Sequence, residues 1–135
     1  MRRQRHEAGD DEAAIEHPFS VLAEIVEIGH DEARLVSLLE HFSGNRALAR
    51  VILQGPVRRK AVGVLVALLE QRLRARGFAR RGALILPLRL AAVLLAEALL
   101  APTTAWLAGE SRCTPEVLAA ALRRVGVATL DALSA

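Results

Sequence analysis

The sequence predicts an all-α fold of about six helices in one domain, on three observations. Apolar residues recur at steps of three and four through most of the chain, as on one face of an α-helix. No segment alternates apolar and polar residues with β-branched and aromatic enrichment, and no internal repeat or low-complexity tract occurs. Glycines, prolines and capping residues punctuate the periodic stretches where helices would start and stop.

Residues 1–14 mix Arg2, Arg3 and Arg5 with Glu7, Asp10, Asp11 and Glu12 and offer almost nothing to bury. They are expected to form a disordered tail, with residues 15–135 as a single helical domain. Ile15, Phe19, Leu22 and Val26 predict a short amphipathic helix stopped at Gly29. Asp31 is placed to cap a second, whose stripe is Leu35, Leu38, Leu39 and Phe42, ending near Ser43-Gly44. A third begins at Asn45 and carries Leu48, Val51 and Ile52 to Gly55. After Gly55-Pro56, a fourth helix presents Val57, Ala61, Val64, Leu65, Leu68, Leu69 and Leu73, and ends near Arg76-Gly77. Residues 77–86 contain two glycines and the Arg80-Arg81 pair, the composition of a loop. Pro87 then opens the most apolar segment, which continues to Leu107 with Gly109 as its stop. Pro102 inside it is expected to bend the helix. Thr114-Pro115-Glu116 supplies a cap, a first-position proline and a first-turn acid for the last helix, with Val117, Leu118, Ala121, Leu122 and Val125 as its stripe and an end near Leu133.

Composition narrows the function. With 135 residues and 53% apolar content the chain has material for one core, and its mean hydropathy of +0.29 separates it from disordered chains. A single cysteine excludes a disulfide framework, and the absence of a secretory leader pattern makes the cytoplasm the expected compartment. The pI of 10.3 reflects the lack of Tyr and the single Lys more than a basic surface, because a net charge of +3 persists until arginine titrates. The charge is uneven: residues 55–82 hold eight Lys and Arg against one acid, whereas 1–17 and 18–54 are each net negative. Any anion-facing surface therefore belongs to 55–82.

Residues 83–107 carry only Arg89 and Glu97 as charges, which raises a membrane span. Glu97 near mid-bilayer costs on the order of 2.5–3.5 kcal/mol on insertion scales, and Trp106 stands alone where an aromatic belt is expected. The favoured reading is a soluble helix apolar nearly all round because one side is covered by its own subunit and the other by a partner. No membrane partner is expected.

Leu86-Pro87-Leu88, the Ala/Leu-rich run, Trp106-Leu107-Ala108-Gly109 and then Thr114-Pro115-Glu116-Val117-Leu118 form an ordered signature. It resembles the C-terminal regulatory domain of tetracycline-repressor (TetR) family transcription factors. Leu38-Leu39-Glu40-His41-Phe42-Ser43-Gly44-Asn45-Arg46-Ala47-Leu48 is similar to a helix junction of the same domain, so the resemblance spans about residues 31–130. It implies transcription regulation through a homodimer that binds a small, apolar effector without a cofactor and is not an enzyme. The last two helices of each subunit would join in an intermolecular four-helix bundle. Effector binding would shift the spacing of helix-turn-helix heads. Here no segment has the character of a recognition helix, and DNA contact is expected only through a head absent from this chain. On this basis the pocket residues are Leu39, Phe42, Leu69, Leu90, Val93, Glu97 and Trp106. The dimer residues are Leu94, Leu95, Ala98, Leu99, Leu118, Leu122 and Val125. The rival reading is a stand-alone helical interaction protein without a ligand.

Other constellations are weaker. Arg72, Arg74, Arg76, Arg80 and Arg81 suit a solvated face and a helix C-terminus better than nucleic acid, since only Phe78 lies among them for stacking. His6, His17, His30 and His41 include no pair at helical ligand spacing, so no metal is expected. Cys113 has no neighbouring His, and no serine lies in a nucleophile elbow; no catalytic residue is assigned. Glu97, an acid in an apolar helix, must face solvent, pair with an arginine or enter a pocket.

Overall fold

In the computed structural model, which describes residues 17–135, all regular secondary structure is helical. Helix α1 spans His17–Val26, and its last residues, Glu24–Val26, tighten into a 3₁₀ turn. Then follow α2 (Glu32–Gly44), α3 (Arg46–Gln54), α4 (Arg58–Ala75), α5 (Leu88–Leu107) and α6 (Pro115–Leu133). The expected tail and Ile15 lie outside the described residues.

Local chemistry explains most of the boundaries. The Asp31 carboxylate accepts the Ala33 amide at 3.0 Å and Thr114 Oγ1 accepts the Val117 amide at 3.2 Å, each satisfying one orphan donor of a first turn. At the end of α4, Gly77 adopts φ +85°, so that its own amide reaches Arg74 and the Phe78 amide reaches Leu73. This crossed pair of bonds closes the helix, and the left-handed residue at its centre favours glycine. Gly109 repeats the arrangement after α5, with bonds to Trp106 and from Glu110 to Ala105. The 77–86 loop is tied to the C-terminal residues: the Ile85 amide donates to Leu133 at 2.8 Å and the Ala135 amide to Ala83 at 3.0 Å.

Helix α5 is the centre of the domain, packed against α3, α4 and α6, while α6 also packs on α1 and α2. Ala91, Ala92, Leu95, Ala96, Leu99 and Leu100 are fully buried along it. Its hydropathy and length would let it cross a bilayer, but half of its apolar window is buried inside the subunit. It runs through Pro102 as a single helix. Pro102 is exposed, and the adjacent Thr103 hydroxyl donates to the Leu99 carbonyl at 2.8 Å. A buried hydroxyl is thereby satisfied within the helix.

Three stripes differ from the expectation: in α4, Val57 precedes the helix and is 41% exposed, while Val66 joins the buried face. In α3 the buried residues are Ala49 and Leu53, while Leu48 and Val51 are exposed and Ile52 is half-buried. The small Ala49 side faces inward because α3 packs against both α4 and α5, and a small residue there permits close approach. In α6 the inward face is Leu118, Ala119, Leu122, Gly126, Leu130 and Leu133; Val117, Ala121 and Val125 point outward. Gly126 decides this rotation, since a Cβ there would sit 3.2 Å from the Ile25 side chain.

The arginine-rich end of α4 is partly structural. Arg72 pairs with Glu27 and donates to Ser20 Oγ at 2.9 Å; Arg76 donates to the Val26 carbonyl and lies over the Phe78 ring. These two side chains clamp the end of α1 to α4, whereas Arg74, Arg80 and Arg81 are exposed.

Candidate ligand groove and association face

The side chains expected to form one effector pocket are dispersed. Leu39 and Leu69 are fully buried in the core, where close packing leaves no ligand space. Trp106 is buried, and its indole N–H donates to the Cys113 carbonyl at 2.9 Å, holding the α5–α6 connection. Val93 is half-buried, and Leu90 is 52% exposed on the outer side of α5. Glu97 takes the arginine-paired alternative: Arg58 lies 3.2 Å from its carboxylate, with the Glu97 side chain 44% exposed. Such a solvated pair contributes about 0–1 kcal/mol. Phe42 alone of this group reaches the groove described next.

That groove, about 710 Å³ in volume, runs between α1, α2 and α3. Pro18 and Val21 of α1, Leu38 and Phe42 of α2, and Leu48, Ala49 and Ile52 of α3 make its apolar walls. Phe42, Leu38 and Ala49 are buried from within, so they form the floor, and exposed Leu48 forms part of the rim. Its polar lining consists of His17, Arg34, Ser37, His41 and Asn45. A concave, mostly apolar site with a few polar groups suits a small ligand. The signal was present in the sequence as Leu48 and Ile52 on a helix that also carries Ala49. It was obscured because an apolar residue at helical spacing is ordinarily assigned to the core.

The expected dimer residues divide into two groups. Leu95, Leu99, Leu118 and Leu122 belong to the subunit's own core and are closed to a partner. Leu94 and Val125, 43% and 44% exposed, are open, and Ala98 is half-buried, less exposed than either. Leu90, Leu94, Ala98, Ala101 and Ala105 recur along the outer side of α5; Val117, Ala121, Val125, Ala128 and Ala132 recur along α6. Two helices that pack on each other thus each carry a stripe of exposed or half-buried apolar residues that no element among the described residues covers fully.

His30, in the α1–α2 connection, presents a different feature. Both of its ring nitrogens are shielded from solvent and have no hydrogen-bond partner among the described residues. Burial holds its pKa below the ordinary 6.5; Glu24 opposes this, Arg123 adds to it, and Glu32 and Asp31 oppose it more weakly. The folded state therefore binds this proton less readily than the unfolded state, so the native state is disfavoured as the pH falls below 6.5. Urea midpoints measured from pH 8 to pH 5 are expected to fall in acid for the native chain and to fall less for His30→Leu. Parallel curves would exclude His30 as the source.

Among the described residues no group of three or more metal-binding side chains converges, and Cys113 is exposed beside the cap of α6. No known protein family model, curated protein or solved structure matches this chain.

Proposed function

We propose that the chain is the ligand-binding and dimerising regulatory domain of a TetR-type transcription regulator, without catalytic activity. The observation that carries this reading is the shared position of α5. It packs against α3, whose Leu48, Ala49 and Ile52 line the groove, and leaves Leu90 and Leu94 open on its outer side. A ligand filling the groove would bear on α3, which packs on the helix that a second subunit would cover, and such an indirect contact is the coupling a sensor domain requires. In this reading DNA contact is the work of a helix-turn-helix head, and residues 17–135 supply ligand recognition and association.

A panel of small hydrophobic compounds, screened by thermal unfolding at constant protein concentration, tests the proposal. One class is expected to raise Tm saturably, with about 2.7 kcal/mol of stabilisation at a hundredfold excess over Kd. Ser37→Trp, at an exposed position lining the groove, is expected to abolish that response and leave the unliganded Tm nearly unchanged. A panel with no saturable stabiliser would leave the domain as a helical association protein and exclude the sensor.

A further inference from the structure

The proposed ligand groove has a directional electrostatic character, and this specifies what it binds. Among the described residues, no carboxylate lines it. Its charged or titratable lining groups are one guanidinium, Arg34, and two imidazoles, His17 and His41, joined by the amide of Asn45 and the hydroxyl of Ser37. Adjacent α3 contributes Arg46 and Arg50 and contains no acid. An apolar trough with donor groups at its edges complements an apolar body that carries negative charge.

Arg34 marks the end at which that charge belongs. Among the described residues it is the only permanent cation lining the groove, its side chain is 54% exposed, and it uses Nη1 toward Glu24 at 3.1 Å. Among the described residues its other guanidinium nitrogens have no partner, and a planar fork matches a carboxylate better than a point charge does. Ser37, Leu38, His41, Phe42 and Asn45 follow Arg34 along α2. From Arg34 to Asn45 the helix advances about 16 Å, so the apolar walls extend well beyond the cation in one direction.

Resting on the ligand-binding reading above, we propose that the groove binds an elongated amphiphile with an anionic head. The carboxylate-class head shares Arg34 with Glu24, and the hydrocarbon body lies over Leu38 and Phe42 toward Leu48 and Ile52. The recognising chemistry is one fork of donors and one apolar trough, so the body's length matters and its detailed shape matters less.

Titration calorimetry at 25 °C with decanoate, decan-1-ol and decyltrimethylammonium, all below their aggregation concentrations, separates head from body. Decanoate is expected to bind to saturation, decanol at least tenfold more weakly, and the ammonium compound without measurable heat. Arg34→Gln is expected to bring decanoate down to the level of decanol, whereas Arg34→Lys keeps part of the preference; Ser37→Trp removes binding of both. Equal binding of all three probes, or tightest binding of the cation, would overturn the anionic head and leave the ligand groove standing. Absence of binding by every probe would overturn the amphiphile, and a compound response left unchanged by Ser37→Trp would remove the groove reading itself. A change in sedimentation caused by Ser37→Trp would show a second copy of the chain seated in the groove, which also overturns the proposal.

Discussion

Leu99→Ala is expected to lower the unfolding free energy by about 2–5 kcal/mol, while Leu94→Ala, five residues earlier on the same helix, lowers it by less than about 1 kcal/mol. Leu99 has no exposed surface and belongs to the core cluster to which all six helices contribute. Truncation there removes transferred apolar area and leaves a cavity that packed neighbours cannot close. Leu94 has solvent on its outer side, so the same truncation exposes little and leaves no void. Urea unfolding of the monomer, at a protein concentration too low for association, measures both values. Comparable losses at the two positions would mean that α5 is rotated relative to the core.

The largest effect on assembly is expected from Leu94→Glu combined with Val125→Glu. If the outer stripes of α5 and α6 form the dimer interface, the native chain sediments at twice 14.6 kDa. The double variant then sediments as a monomer with unchanged helical circular dichroism. Burying two unpaired carboxylates against a symmetric copy would raise the dissociation constant at least about a hundredfold. The small side chains Ala98, Ala101, Ala121 and Ala128 permit close helix approach across such an interface. The substitutions are chosen for exposure: Glu at Leu122, which is 2% exposed, would unfold the subunit and report nothing about association. A stable dimer of the Leu94/Val125 variant would exclude this face.

The helices were legible because their signals are local. Asp31, Thr114 and Pro115 at starts and Gly77 and Gly109 at ends act within one turn, and capping or left-handed geometry is dictated by the residue itself. The stripe of α2 was legible for the same reason, since Leu35, Leu38, Leu39 and Phe42 admit only one buried face. The corresponding readings of α3 and α6 failed where a helix has apolar residues over much of its circumference. There the inward side is chosen by how closely neighbours approach, and Ala49 and Gly126 permit an approach that Leu48 and Val125 do not.

The candidate site was less legible than the fold. Its expected residues mix core positions such as Leu39 and Leu69 with outward ones such as Leu90, because apolarity alone does not distinguish a packed side chain from an unpacked one. Glu97 was recognisable as an acid needing a partner, but its pairing with Arg58 joins residues far apart in the chain. The groove likewise brings Val21, Phe42 and Ile52 together from three helices.

The sequence by itself determined the helical class, the number of helices and most of their ends, since hydrophobic period and capping chemistry operate over one to three turns. Only the tertiary structure decided which apolar residues became core, groove or open stripe. Burial depends on the rotation and spacing of helices already formed, and those are settled by steric contacts such as Ile25 against Gly126.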